Sequence, residues 1–300
     1  MTVSIMRFVN GKDYLDLPSR AFNLWTSQRA ILKKFYMGTR GNEDLSFSLK
    51  EKRWFNTHSK DEVKGGVGYR KNIDGHKKGN FREMQLLLGR RSAKTVTENI
   101  IIAYEAYKFL ESEESYGLPL GEDVSILITS YNMDCGYRMM KQVSSFIEGS
   151  SYFKGLIQKI NQNSMTLKTK SGGALEIIIA SPRSFHGAIC GRNVIATVMD
   201  EVDYYDGESA ECLYKCVIPA MSNFFRMGEG KLVMVSSPSP NGDGFLTNRF
   251  ADSENIDEVF RVQLPTWSMN PQISHTSLRR FQQDTYGDFF LEYGAQMAKI

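Results

Sequence analysis

The 300-residue sequence contains no apolar run that approaches the roughly 18 residues of a membrane-spanning helix. Its N-terminus lacks the basic stretch followed by an apolar stretch that marks a signal peptide. The four cysteines show none of the C-x-x-C spacing typical of redox and zinc sites, so we expect reduced thiols in a cytosolic protein. There is no internal repeat and no low-complexity segment, which excludes repeat arrays and long disordered tracts.

The composition that remains is ordinary for a globular protein, with 41% apolar and 24% charged residues. The length suits one large α/β domain or two small ones. The net charge of +3 is unevenly distributed, because residues 38–82 hold 11 Lys and Arg against 6 Asp and Glu. A local basic surplus favours a polyanion as partner, and it equally suits a solvated surface.

Apolar runs and helical periodicity alternate along most of the chain. The runs that predict buried strands are Gln85–Leu88, Val124–Ser130, Val194–Met199, Lys231–Val235 and Val259–Leu264, with a hairpin at Met165–Lys170 and Leu175–Ala180. Helices are predicted at Ala21–Tyr36, from Val96 onward, and at Met133–Glu148, Glu208–Ser222, His275–Asp284 and Asp288–Met297. This alternation predicts an α/β fold with a mainly parallel sheet and helices on both faces. We expect one domain over residues 1–265, with a basic loop or insertion at about 38–80, and a helical extension over 266–300.

The stretch L-L-L-G-R-R-S-A-K-T, residues 86–95, has the layout of a phosphate-binding loop: strand, tight turn, Lys-Thr, helix. In such a loop backbone N–H groups face the phosphates, the lysine reaches the β- and γ-phosphates and the hydroxyl holds Mg²⁺. The pattern G-x-x-x-x-G-K-[ST] would place glycines where Leu88 and Ala93 stand, with Gly89 one step late. The residues predicted to bind nucleotide here are Gly89, Arg90, Arg91, Ser92, Ala93, Lys94 and Thr95.

Two further strands end in groups suited to phosphoryl transfer. The strand at 194–199 runs into Asp200, predicted to hold Mg²⁺ with Thr95, and Glu201, predicted to orient or deprotonate the attacking water. Alone, such a pair also suits a helix cap. The strand at 231–235 ends in Ser236, Ser237 and Pro238, whose hydroxyls suit the γ-phosphate or the water and which equally suit a simple turn. Because open α/β sheets bind ligands at the carboxyl ends of their strands, we expect these groups to meet.

Arginines and a glutamine complete the predicted site. Guanidinium groups stabilise charge on a transferring phosphoryl group. We assign this role to Arg90 within the chain, and consider Arg183 and Arg192 as candidates to act on a neighbouring copy. Gln28, on the apolar side of the first helix, can donate to and accept from an adenine edge, or it is a surface glutamine.

With these motifs in this order, the chain resembles the ATPase domain of the large terminase subunit, the DNA-packaging motor of tailed bacteriophages and related viruses. The resemblance rests on G-R-R-S-A-K-T at 89–95 and T-V-M-D-E at 197–201. It is supported by V-S-S-P at 235–238, L-W-T-S-Q at 24–28, L-P-T-W-S-M-N-P at 264–271 and F-L-E-Y-G-A at 290–295. It covers nearly the whole chain apart from residues 38–80, and it implies a P-loop NTPase fold of the ASCE, RecA-like type.

The resemblance also implies roles and partners. Gln28 would recognise adenine, Lys94 and Thr95 would bind phosphates and Mg²⁺, and Asp200 would hold the metal. Glu201 would activate water, and the segment Ser236–Pro238 would couple hydrolysis to movement. The cofactors would be ATP and Mg²⁺, and the partners double-stranded DNA, a portal ring, a small terminase subunit and other copies of the chain. The protein would act in the host cytoplasm, docked on the procapsid, without contact to a membrane.

Ala93 departs from the glycine common in that family, a change that costs little if its φ is negative. Large terminases usually carry a nuclease domain as well, and we expect no nuclease activity within these 300 residues.

Two alternatives to the terminase function stay open. A DEAD-type helicase would share the acidic pair and Gln28 but needs a second lobe of ~100 residues, more than the chain holds after Pro238. The other is a binding module that holds nucleotide or nucleic acid without hydrolysis.

Overall fold

A nine-stranded sheet organises the computed structural model, which describes residues 2–58, 62–64, 67–69, 72–74, 79–181, 189, 191–239, 243–284 and 289–295. A separate pair is formed by β1 (Glu62–Lys64) and β2 (Val67–Tyr69). The large sheet contains β3 (Asn72–Ile73), β4 (Glu83–Leu88), β5 (Val124–Ser130), β6 (Ile157–Ile160), β7 (Ser164–Lys168), β8 (Ala174–Ala180), β9 (Asn193–Asp200), β10 (Lys231–Ser236) and β11 (Val259–Leu264). Their spatial order is β3-β11-β4-β10-β9-β5-β8-β7-β6.

The centre of this sheet is parallel and its edges are antiparallel. β11, β4, β10, β9, β5 and β8 run parallel to one another, whereas β3, β7 and β6 pair antiparallel. The prediction of a mainly parallel sheet is therefore confirmed, and the predicted hairpin corresponds to β7 and β8. Since β4, β10 and β9 are neighbours, the chain segments that leave their carboxyl ends emerge side by side.

Helices cover both faces of the sheet. They are α1 (Ile5–Asn10), α2 (Thr26–Tyr36), α3 (Leu49–His58), α4 (Lys94–Glu111), α5 (Met133–Glu148), α6 (Gly207–Arg226), α7 (Phe245–Asp252), α8 (Thr266–Met269), α9 (His275–Asp284) and α10 (Phe289–Glu292). Two apolar clusters lie on opposite faces: Leu86 and Leu88 belong to the cluster with α4, and Leu87 to the one with α6 and α7. This alternation along β4 follows from the two-residue period of a strand, and it explains why the run is apolar throughout. Among the described residues, no helix combines the length and apolarity needed to cross a membrane.

The basic segment at 38–80 contains a helix that the sequence analysis did not predict. A capping box begins α3: the Ser48 N–H donates to the Glu51 carboxylate at 2.8 Å, and the Glu51 N–H donates to the Ser48 hydroxyl at 3.3 Å. Arg29 and Lys33 of α2 donate to the same carboxylate at 3.2 and 2.8 Å. The buried Glu51 therefore both starts α3 and attaches it to α2, so this part of the segment is not a plain loop.

The last helix is shorter than predicted. The sequence pattern favoured a helix over 288–297, whereas α10 ends at Glu292 and a turn follows at 293–294. The reason is a tertiary contact, since the Tyr293 carbonyl accepts hydrogen bonds from the backbone and hydroxyl of Thr266 at 2.8 and 3.0 Å. Residues 288 and 296–297 lie outside the described part of the chain.

Candidate active site

The loops that follow β4, β9 and β10 bring an ammonium, a carboxylate and a hydroxyl into contact. The Lys94 Nζ lies 2.9 Å from the Glu201 Oε1 and donates to the Ser237 Oγ at 2.6 Å. The Ser237 N–H donates to the other Glu201 oxygen at 3.0 Å. Lys94 is buried and Glu201 is partly exposed. The expected convergence of the lysine with the acids at one edge of the sheet is thus present.

The loop backbone carries the conformation of an anion-binding nest. Arg91 and Ala93 have φ values of 62° and 58°, in the left-handed region, and α4 begins directly afterwards at Lys94. Alternating conformations of this kind turn successive N–H groups toward one side. The φ of Ala93 is positive, a conformation that costs a residue with a Cβ about 1–2 kcal/mol. Alanine therefore does not replace glycine here at little cost. Leu88, at the other consensus position, is still inside β4, where a buried leucine fits.

Gly89 marks a close approach between the loop and the end of the chain. A Cβ at this position would lie 2.3 Å from the Tyr293 carbonyl oxygen and 2.4 Å from the Thr266 Oγ1. The Arg90 N–H donates to the Glu292 carbonyl at 2.6 Å, and the Arg90 guanidinium lies 3.1 Å from the Glu292 carboxylate. The Thr266 hydroxyl in turn donates to the Arg90 carbonyl at 2.7 Å. The C-terminal segment therefore supports the phosphate-binding loop from behind, and glycine is required there by space.

We expect Gly89→Ala to displace the loop from this support, because the new methyl group overlaps backbone as well as a hydroxyl. Overpacking of this kind costs about 1–3 kcal/mol in the free energy of unfolding. Thermal unfolding measures that loss, and calorimetric titration with ADP measures a fall in affinity that accompanies it. Gly155→Ala is the control for backbone strain without overlap, since Gly155 has a φ of 88° and nothing within 4 Å of an added Cβ; it should leave ADP affinity unchanged. An equal fall of ADP affinity in the two variants would contradict the assigned contact.

The two acids of the pair have different surroundings. Asp200 ends β9 and is buried, and the Ser130 hydroxyl donates to it at 3.4 Å. Burial, together with the neighbouring charge of Glu201, raises the pKa of Asp200 to about 6. Glu201 has a φ of 51° and lines the cavity described below. The pair thus places one carboxylate inside the protein and one at the cavity wall.

A third carboxylate, which the sequence analysis missed, lies beside Asp200. Glu98 is fully buried in α4, and neither of its carboxyl oxygens has a hydrogen-bond partner of standard geometry. Burial raises the pKa of Glu98, and the negative charge of Asp200 raises it further. The signal available in the sequence was its spacing, four residues after Lys94 and three after Thr95, which puts all three on one face of a helix.

The last residue of β10 and the residue after it contact Lys94 and Glu201. Besides the contacts of Ser237, the Ser236 hydroxyl lies 3.4 Å from a Glu201 oxygen and accepts from the Asp203 N–H at 3.2 Å. Ser236, Ser237 and Pro238 are all buried. A displacement of this segment would therefore move the partners of Lys94 and Glu201 together.

A cavity of about 490 Å³ opens over the loop. It is lined by Arg90, Arg91, Ser92, Ala93, Lys94, Thr95, Tyr131, Cys135, Glu201 and Tyr204. The Arg90 guanidinium is half-exposed there and contacts Tyr204 and Glu292. All the loop residues predicted to face phosphate, apart from Gly89, thus share one opening with Glu201.

The other two predicted arginines do not join this cluster. Arg192 directly precedes β9 and so lies at its amino end, opposite Asp200, where it pairs with Glu176 and donates to Ser125 at 3.3 Å. Arg192 therefore lies away from the phosphate-binding loop of its own chain, and its role on a neighbouring copy stays a prediction. Arg183 lies outside the described residues.

Gln28 is buried against the loop, so the alternative of a surface glutamine is wrong. Its side-chain oxygen accepts from the Trp25 N–H at 3.0 Å, and its nitrogen lies 3.5 Å from the Ala93 carbonyl, a long contact.

Beside Gln28 lies a second cavity, of about 430 Å³. Its lining includes all three tryptophans of the sequence, Trp25, Trp54 and Trp267, and the basic side chains of Lys50, Arg53 and His58. Asn270, which stands between the lining residues Met269 and Pro271 in the chain, donates to the Arg91 carbonyl at 2.9 Å and so connects this wall of the cavity to the loop.

The donor atoms at the site suit Mg²⁺. The Thr95 hydroxyl and the Asp200 carboxylate are hard oxygen ligands, and Mg²⁺ takes one or two carboxylates together with waters and phosphate oxygens. In the described part of the chain, no group of three or more His, Cys, Asp or Glu side chains is arranged to hold a metal alone. The buried Glu98 carboxyl lies beside Asp200, next to these donors.

Comparisons with known proteins agree with this geometry. The family model described as "Uncharacterized protein MJ0330, N-terminal P-loop domain" matches residues 3–288. The large terminase ATPase domain of Thermus phage P74-26 is 14% identical with a TM-score of 0.52, covering 73% of this chain and 89% of that one. The large terminase of bacteriophage HK97 is 12% identical with a TM-score of 0.53, covering 72% of this chain and 47% of that one.

The large terminase of a thermophilic bacteriophage, solved in complex with ADP, is 12% identical, with a TM-score of 0.50 and coverage of 74% and 48%. The chain thus spans about half the length of the two longer terminases. No curated protein matches the sequence. At these identities the solved structures establish the fold: an α/β P-loop domain similar to large terminase ATPase domains.

Proposed function

The chain belongs to the family of the MJ0330 N-terminal P-loop domain, and we propose that within this fold it is the ATPase of a viral DNA-packaging motor. It would hydrolyse ATP with Mg²⁺ and use the cycle to drive double-stranded DNA into a procapsid, as a large terminase subunit does. The observation that carries the proposal is the contact of Lys94 with Glu201 and Ser237 beneath a nest-forming loop. The division at residue 265 and the helical extension over 266–300 belong to the same proposal.

The roles of the residues follow from their contacts. Lys94 binds the β- and γ-phosphate oxygens, exchanging the Glu201 carboxylate for phosphate. Glu201, still held by the Ser237 N–H, then orients the attacking water and takes its proton. Arg90 stabilises charge on the transferring group. Thr95 and Asp200 would hold Mg²⁺, which neutralises charge on the phosphate oxygens.

The cavity that contains the three tryptophans is our site for the base. Aromatic rings offer stacking surfaces to a purine. Gln28 and Asn270 each follow a lining residue of the cavity in the chain, and they contact the carbonyls of Ala93 and Arg91 in the loop. Gln28 would read adenine by giving up its 3.5 Å contact with the Ala93 carbonyl while its oxygen stays bound to Trp25. Because every tryptophan of the chain lines this cavity, nucleotide binding should change the intrinsic fluorescence.

A phosphate-release assay tests the proposed function. We expect Mg²⁺-dependent release of phosphate from ATP, together with a change of tryptophan fluorescence on titration with ADP. Nucleotide binding without turnover would support the binding module, and strand separation of duplex DNA would support the helicase. A protein that neither binds nor hydrolyses nucleotide would overturn the proposal.

The partners proposed are double-stranded DNA, a portal ring, a small terminase subunit and further copies of the chain in a ring, in the host cytoplasm at the procapsid. For a motor that moves along any sequence, DNA binding is directed at phosphates rather than bases. Residues 38–82 hold 11 basic residues against 6 acidic ones, and this local positive charge supports binding to phosphates.

We therefore expect the affinity for duplex DNA to fall at least tenfold between about 50 and 200 mM salt, because each phosphate contact releases counterions. Fluorescence anisotropy with two labelled duplexes of unrelated sequence measures both properties. Both duplexes should give the same affinity and the same slope. An affinity that is independent of salt, or that differs strongly between the duplexes, would contradict phosphate-directed binding.

A further inference from the structure

Glu98 is fully buried at the site, and the polar group beside it is another carboxylate, that of Asp200. It lies inside α4, one turn after Lys94 and Thr95, with the exposure of its side chain reduced to zero. Both carboxyl oxygens lack a hydrogen-bond partner of standard geometry, and the neighbouring polar group is the Asp200 carboxylate. Buried carboxyl groups that only support a fold are usually hydrogen-bonded or paired.

The same helix supplies the comparison. Glu105 is also fully buried, but one of its oxygens pairs with Lys108 at 3.4 Å, and Lys108 also contacts Glu229 at 3.3 Å. Glu105 is thus part of an ion-paired network within the core. Glu98 has no such pair, since Lys94, the cation closest to it along the helix, is 2.9 Å from Glu201 and bonded to Ser237.

The three carboxyl groups at the site are unequally partnered. Glu201, the most exposed of them, is paired with the Lys94 ammonium. Asp200 is buried, with the Ser130 hydroxyl 3.4 Å away and the Glu98 carboxyl beside it. The two buried carboxyl groups therefore neighbour each other, one helical turn from Lys94 and Thr95.

We propose that Glu98 is a second carboxylate of the divalent-cation site: it lies behind Asp200, holds that side chain in position and raises the affinity of the nucleotide complex for the cation. The inference rests on the proposed function, because it needs a nucleotide phosphate to complete the site. Glu98 acts through Asp200 and is a positioning residue. Groups placed behind a metal ligand in this way typically change the affinity for the metal by about 10- to 100-fold.

Cation binding tests this inference without any measurement of turnover. Mn²⁺, whose free form gives an electron paramagnetic resonance signal, is titrated into the full chain in the presence of ADP. We expect Glu98→Gln, which removes the ionisable group and keeps the shape, to weaken Mn²⁺ binding at least tenfold. In the same variant, ADP binding measured in EDTA should stay within twofold of the parent, because Glu98 is not among the residues that line the cavity over the loop.

Glu105→Gln is the matched control, because it makes the same replacement at an equally buried position of the same helix, away from the site. It should leave Mn²⁺ binding unchanged. Unaltered Mn²⁺ affinity in folded Glu98→Gln would overturn the inference, as would an equal loss in Glu105→Gln. If Glu98→Gln does not fold, Mn²⁺ binding is measured with Glu98→Asp instead. This variant draws the carboxyl group back by one methylene and should weaken Mn²⁺ binding at least threefold, and an unchanged affinity overturns the proposal. Failure of the proposed function is separate, since the parent would then not bind ADP with or without metal.

Discussion

Glu201→Gln is expected to slow ATP hydrolysis by about 10²- to 10⁴-fold, the usual contribution of a general base, while ATP still binds. The carboxylate is fixed between the Lys94 ammonium at 2.9 Å and the Ser237 N–H at 3.0 Å. Glutamine keeps the length of the side chain and an oxygen that accepts from Ser237. It cannot take a proton from water at neutral pH, so the loss falls on the chemical step.

Single-turnover hydrolysis of ATP measures this step, and titration with ADP measures binding. Glu208→Gln is the control, because Glu208 is an exposed glutamate in the first turn of α6, seven residues further along the chain. It should leave both quantities unchanged. A turnover rate of Glu201→Gln within threefold of the parent would remove Glu201 from the mechanism.

The sequence is sufficient to predict the parts of this site that depend on strand ends. Val124–Ser130 and Val194–Met199 are apolar runs too short for a helix and too apolar for an exposed strand, so a buried parallel sheet is the arrangement that satisfies them. Once the sheet is parallel, Lys94 and Glu201 must leave it at the same edge. Their placement at one edge therefore follows from a parallel sheet, whereas their contact also needs the strand order β4-β10-β9, which the structure supplies.

The parts that could not be predicted depend on contacts between residues far apart in the chain. Glu98 in a helix suggests a solvent-exposed side chain, and only the position of Asp200 makes it a buried neighbour. Gly89 is one step late against the consensus, and only the close approach of Tyr293 and Thr266 explains why glycine stands there.

Lys94→Ala is expected to weaken ADP binding about 10- to 100-fold, because a hydrogen bond between charged groups contributes roughly 1.5–3 kcal/mol. The rate of hydrolysis should fall by a further ~10²- to 10³-fold, since the ammonium also stabilises charge that develops on the phosphates.

Comparison of the affinities for ADP and adenosine, measured by calorimetry, isolates the contribution of the phosphates. The parent should prefer ADP strongly, and the variant should bind adenosine as the parent does. Lys94→Arg should not restore the rate, because the planar guanidinium cannot occupy the position 2.6 Å from the Ser237 hydroxyl and 2.9 Å from Glu201 that the buried ammonium does. If Lys94→Ala keeps the preference of the parent for ADP, the phosphates are bound elsewhere, and the contact of Lys94 with Glu201 is only an ion pair of the fold.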